Sequence, residues 1–309
     1  MYVSELRVSG VRGFSGRRDV DLRLTRPDGS HAGWTVLAGR NGSGKTTLLR
    51  ALALAMAGPS VARGLMPSFD GWISEGLSEA VVAAEVVDGN MERWSGGRPG
   101  GRSFPALLTW SRETIDDPED EEYEPQPILQ GYGDAAFRGP WADNPRGWFL
   151  AGYGPFRRLV GGSADAQRLM LSTGPVSRLA SLFHEDASLA ESVSWLIDLH
   201  LRRLERRPGA EGLLLLVTDL LNDGLLPDGF QVVRVDSEGL WAKRDGRVIP
   251  LRELSDGYRT VTALVLDLVR QVGQMFPKEL LSWTVARDDR LSTTTIDCDG
   301  LAWSHVECG

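Results

Sequence analysis

The stretch VLAGRNGSGKTTLLRAL, residues 36–52, decides how the chain is read. Within it, GRNGSGKT fits the spacing G-x-x-x-x-G-K-[ST], with Gly39, Gly44, Lys45 and Thr46 at the fixed positions. Each residue type has a physical reason to be there. Gly39, Gly42 and Gly44 let the backbone wrap closely around an anion with dihedrals that other residues resist. The amides from Gly42 to Thr47 fall at the start of a helix, where unsatisfied N–H groups and the helix dipole favour negative charge. Lys45 is placed to reach the outer phosphates of a nucleotide, and the Thr46 hydroxyl to hold Mg²⁺. The candidate nucleotide contacts are therefore Gly39, Arg40, Asn41, Gly42, Ser43, Gly44, Lys45, Thr46 and Thr47, with ATP and Mg²⁺ as the implied ligands.

The flanks suit this reading. GWTVLAG (33–39) is a short apolar run that predicts a strand entering the loop. KTTLLRALALAMAG (45–58) predicts a helix, ended by Gly58-Pro59, with loop over 59–77. Upstream, YVSELRVSGVRGFSGRRDVDLRL alternates apolar and polar residues twice around a turn-prone SGRRD, which predicts a two-stranded hairpin. Downstream, EAVVAAEVV (79–87) and FPALLTWSRE (104–113) read as two further strands. WFLAGYGPFRRL (148–159) has the look of a buried strand. Helical periodicity runs from about 175 to 222, then a strand–turn rhythm over 230–251, then a capped helix over 255–276.

Composition narrows the class. The 309 residues, 42% hydrophobic and 25% charged, describe a soluble globular chain with ample core. No apolar run is long enough to span a bilayer, so no membrane association is expected. Cys298 and Cys308 lack metal-ligand spacing and suggest a reducing, cytoplasmic setting. The net charge of −8 is concentrated in ETIDDPEDEEYEPQP (113–127), which holds eight carboxylates and neither Lys nor Arg. That run reads as a solvated loop or a docking site for a basic partner, and no basic stripe announces nucleic-acid binding.

The phosphate loop does not by itself select a reaction. A later stretch, ELSDGYRTVTALVLDL (253–268), adds a second candidate anion site in Leu254, Ser255, Asp256 and Gly257 at the start of a helix. An ordinary Ser-Asp helix cap is the alternative. LSDGYRT resembles the signature of ABC-type ATPases, in the form found in SMC/RecF-like AAA-family ATPases of the overcoming-lysogenization-defect and Septu-type anti-phage defence groups. The N-terminal LRVSGVRGFSGRRDVDLRL and the stretch AGYGPFRRL are similar to elements of the same group. The resemblance implies an α/β P-loop NTPase head with an antiparallel β excursion and an inserted helical lobe. Its parts would be the hairpin and P-loop (1–60), the excursion with the acidic loop (61–147), the helical lobe (148–229), and a β-hairpin, signature helix and tail (230–309). It also implies a homodimer closed by two sandwiched ATP molecules, with Ser255 and Gly257 facing the partner's γ-phosphate. Coupling to nucleic acid or to an effector such as a nuclease follows in that group. Asp256 departs from the family's usual Gly and would repel a phosphate if turned inward.

Such a head also needs an apolar strand ending in Asp-Glu, the Walker B element, after the signature helix. TTTIDCDG (293–300) and VARDDR (285–290) do not fit, and Asp219 lies in the helical pattern LLLLVTDL. The expectation is a head incomplete at its C-terminus, with exposed apolar surface where a central strand would pack, and with catalytic residues unassigned. Two other functions remain open. A small-molecule kinase would use an arginine-bearing lid, for which Arg157, Arg158, Arg168 and Arg178 are candidates; a nucleotide-sensing module would bind without hydrolysis.

Overall fold

The computed structural model describes residues 1–31, 35–89, 92–97, 103–112, 126–155, 163–172, 174–226 and 229–276. The acidic run from 113 to 125, Arg157 and Arg158, and everything after 276, including both cysteines and the 285–300 stretches, lie outside them. The chain divides into two compact units, the first formed by Met1–Leu150 and the second by the described residues from Ala151 onward. Among the described residues no helix is long and apolar enough to cross a membrane.

The first unit is built on a five-stranded antiparallel sheet ordered β2-β1-β3-β4-β5. Its strands are β1 (Tyr2–Ser9), β2 (Val20–Arg23), β3 (Glu79–Val87), β4 (Ser103–Ser111) and β5 (Ile128–Tyr132). Alternation makes one face apolar. Ala80, Val82, Ala84 and Val86 are buried on β3, and Phe104, Ala106, Leu108 and Trp110 are buried opposite them on β4. Leu6 and Val8 of β1 continue the same rows, paired with Ala84 and Val82. Helix α1 (Lys45–Ala57) packs on β1, β3 and β4 through Leu48, Ala51, Leu54 and Ala55. Each fully buried Leu contributes roughly 1.5–3 kcal/mol over the exposed state. The N-terminal hairpin and the expected antiparallel excursion therefore share one sheet.

Two expectations fail here. Residues 35–40 form no strand, and Val36 is 64% exposed. A strand is held by ladder bonds to a neighbour, and no described strand lies beside this run. Residues 59–77 were expected to be loop, but Pro59–Leu65 is a helix, α2. Proline at the first helical position loses no intrahelical bond, so Gly58-Pro59 ends α1 and starts α2 at once. Gly58 has φ +86, and the indole of Trp141 lies where a β-carbon would go, 2.5 Å from its nearest atom. That indole donates to the Ala55 carbonyl at 2.9 Å. Gly58→Ala is accordingly expected to cost about 1–3 kcal/mol, read as a lowered urea midpoint. Arg63 of α2 donates to the Leu129 carbonyl oxygen of the edge strand β5 at 2.7 Å.

A short helix, α3 (Asp134–Arg138), follows β5 in the first unit. In the second unit, α4 (Ala164–Leu171), α5 (Pro175–Phe183), α6 (Ala190–Leu204) and α7 (Ala210–Leu220) precede a three-stranded meander. The meander is β6 (Gln231–Asp236), β7 (Gly239–Arg244) and β8 (Arg247–Pro250), and helix α8 (Asp256–Met275) follows it. Asp219 lies in α7, as its helical pattern indicated. Helix α8 is the spine. Leu266 and Val269 join the cluster formed with α6, α7 and the meander. Ala263 joins a second cluster with Ala166 and Met170 of α4 and Ala180 of α5.

The stretch 148–155 is not the buried strand expected. Gly152 and Gly154 let it lie directly against α5; a β-carbon on Gly154 would meet the Ser181 carbonyl oxygen at 2.2 Å. Between them, Tyr153 donates its hydroxyl to Asp267 of α8 at 2.9 Å. Arg270 holds the other oxygen of that carboxylate at 2.6 and 3.2 Å. Burial, and next the Asp267 charge, push the Tyr153 phenol above its usual range. Burial also lowers the Arg178 guanidinium to about 10.

Candidate nucleotide-binding site

Residues 39–44 form the loop, and α1 begins at Lys45. Ser43 N–H donates to the Arg40 carbonyl at 3.1 Å, which closes the turn. Gly42 and Gly44 have φ of +81° and +94°, the left-handed region that glycine enters without strain. At Gly39 a β-carbon would meet Ser43 Oγ at 2.7 Å. The N-cap, Gly44, has no side chain to cap the helix, and the first turn carries no carboxylate. The first-turn amides are thus left for an external acceptor, with the positive end of the helix dipole behind them.

The Lys45 ammonium bends back over the loop and donates to the carbonyls of Gly39 at 2.6 Å and Arg40 at 2.9 Å. Its charge therefore sits over the turn that the amides line. Arg40, Asn41, Gly42, Ser43 and Thr46 are exposed, while Gly44, Lys45 and Thr47 are half-buried. A polyphosphate suits this donor set. The exposed Thr46 hydroxyl is the group at the head of α1 that could serve a cation as a ligand. Mg²⁺ commonly takes one or two protein oxygens and completes its shell with phosphate and water.

The second candidate site starts α8. Ser255 is the N-cap, with extended dihedrals and no side-chain capping bond, so its hydroxyl is not spent on the helix. Leu254 is 7% exposed and anchored in the core. The Asp256 side chain is 94% exposed and pairs with Arg259 Nη1 at 3.1 Å, which offsets its charge. Tyr258 packs its ring against Phe230 at 4.9 Å between centroids, giving the tyrosine of LSDGYRT a packing role. The loop belongs to the first unit and Leu254, Ser255, Asp256 and Gly257 to the second. Of the lid arginines proposed for a kinase, Arg168 pairs with Asp165 at 3.1 Å and Arg178 is 5% exposed. A buried guanidinium is no lid residue. Phe14, the aromatic of the N-terminal stretch LRVSGVRGFSGRRDVDLRL, has its ring against Gly44, a contact that the sequence pattern does not name.

A nucleotide-binding α/β domain is the class that this loop, helix and sheet define. The family model for the AAA domain matches residues 5–77, which take in the latter part of β1, β2, the loop, α1 and α2. The match supports an AAA-type, ATPase-like function for this part of the chain. No curated protein matches the chain.

Proposed function

We propose that the chain is the ATP-binding head of an SMC/RecF-like ATPase, in which ATP closes a homodimer and its loss opens it. The observation that carries the reading is the pair of left-handed glycines before an uncapped helix, with Lys45 folded over them. Mg²⁺, held in part by the Thr46 hydroxyl, would supply charge neutralisation for the phosphates. The chain's own residues bind and orient: the 42–47 amides grip the phosphates, Lys45 offsets their charge, and Thr46 offers the metal a hydroxyl. Ser255 and Gly257 would complete the partner's site. Coupling to nucleic acid or to an effector nuclease, and a role in anti-phage defence, belong to the same reading.

Ser255→Arg tests the dimer. The substitution places a long cation at the start of α8, where it should spare ATP binding and abolish ATP-dependent dimerisation in sedimentation velocity. Dimers that persist would sink the role of Ser255 in the partner's site. A nucleotide sensor is the second reading, for which the loop amides and Lys45 suffice. Tight ATP binding with no measurable phosphate release would select it over the hydrolysing head.

A further inference from the structure

We propose that the turn at residues 10–14 is a brace for the phosphate loop, with Phe14 as the positioning residue that holds Gly44 in its left-handed conformation. The proposal rests on the nucleotide-binding reading and deepens it.

The turn is unusual before it reaches the loop. Gly10 has φ +69°, and a β-carbon there would stand 2.4 Å from the Glu79 carbonyl oxygen, so the turn is pressed against the start of β3. Arg12 has φ +50°, a conformation that costs a non-glycine residue on the order of 1–3 kcal/mol and persists only when its surroundings dictate it. Here they do. Arg12 N–H donates to the Trp72 carbonyl at 2.8 Å, and the Ser74 N–H donates to the Gly10 carbonyl at 2.8 Å. The Ser74 hydroxyl donates to the Arg12 carbonyl. Val11, fully buried, bridges to Ile73, and the Arg12 guanidinium lies 5.4 Å from the Trp72 ring centre. Trp72 is itself fully buried against Trp110 of β4. The strained turn is thus pinned to the sheet core through 72–74.

What this rigidity delivers is one side chain. Phe14 N–H donates to Val11 at 2.8 Å, and the ring, 9% exposed, occupies the place of a β-carbon on Gly44. A β-carbon there would lie 2.5, 3.0 and 3.3 Å from Cζ, Cε2 and Cε1. Gly44 is the N-cap of α1, so its dihedrals aim the first-turn amides. Residues 35–40 have no strand neighbour among the described residues. Among the described residues the loop has α1 on one side and the Phe14 ring on the other. Removing the ring frees Gly44 to leave the left-handed region, and phosphate affinity falls with the fraction of loops still correctly shaped.

Calorimetry on the full chain, with ATP and with tripolyphosphate as separate titrants, tests this. Phe14→Ala should weaken both by the same factor, about tenfold, with Phe14→Leu recovering most of the loss. A weakening for ATP alone would place Phe14 at the base and overturn the brace, as would wild-type affinity in a Phe14→Ala chain shown to be folded by circular dichroism. If Phe14→Ala does not fold, Ser74→Ala takes its place: it removes a bond to Arg12 and touches neither the loop nor the ring. It should weaken both titrants about threefold, and no change would overturn the proposal. Hydrogen exchange of the Gly44, Lys45, Thr46 and Thr47 amides without nucleotide separates this inference from the reading beneath it. If the wild-type chain binds neither titrant, the nucleotide reading fails. The brace then still requires faster exchange at these amides in the variant, and equal exchange overturns it.

Discussion

Lys45→Ala is expected to abolish ATP binding while leaving the fold intact. The two effects separate because of where the ammonium sits. Without nucleotide, it donates to the exposed Gly39 and Arg40 carbonyls, which water can satisfy instead. Surface changes of that kind usually alter stability by no more than about 0.5 kcal/mol. With a polyphosphate in the loop, as the proposed function has it, the same group would turn to the outer phosphates. Each hydrogen bond to a charged group contributes roughly 1.5–3 kcal/mol, so two lost contacts weaken binding by about a hundredfold or more. Calorimetry should show no saturable heat at ATP concentrations that fill the wild-type chain. An unchanged dissociation constant would sink the assignment of the loop, and with it the proposed function.

Asp267→Ala should be the most destabilising change in the second unit. The carboxylate is 1% exposed, and it accepts from Tyr153 on one oxygen and from Arg270 on the other. Its removal strands the Arg270 guanidinium, 11% exposed, without its ion-pair partner, and leaves the phenol without its acceptor. Breaking a buried pair from one side costs roughly 3–5 kcal/mol, because the remaining charge is desolvated and uncompensated. Hydrogen exchange of the α8 amides under increasing urea reads the loss locally, which matters in a chain of two units. Tyr153→Phe removes one hydrogen bond and should cost about 1 kcal/mol by the same measurement. An Asp267→Ala midpoint equal to wild type would mean that the network is solvated and structurally idle.

Local patterns in the sequence were reliable where one physical signal settled them. The glycine spacing of 39–44 needs left-handed turns, and two of its glycines have them. The alternation in 79–87 and 104–111 needs one buried face, and the sheet supplies it. Signals that depend on a distant neighbour were not legible. The run at 35–39 is apolar enough for a strand, yet a strand also requires a partner that the pattern does not name. Gly58-Pro59 marks a stop in the sequence pattern, although the same dipeptide is a good start. Asp267 and Arg270 look like ordinary polar positions on a helix until Tyr153 of the 151–154 segment reaches the carboxylate. Phe14 was hidden in the same way, since only the close approach of Gly44 distinguishes its ring from any other buried aromatic.

The Arg63 contact to Leu129 bears on how the first unit behaves among its own copies. Among the described residues strand β5 ends the sheet on that side, and such an edge ordinarily invites another chain to pair with it. Here the Leu129 carbonyl of that strand already accepts from the Arg63 guanidinium. A newcomer pairing with β5 would meet a charged donor already in place, which discourages growth of the sheet from that edge.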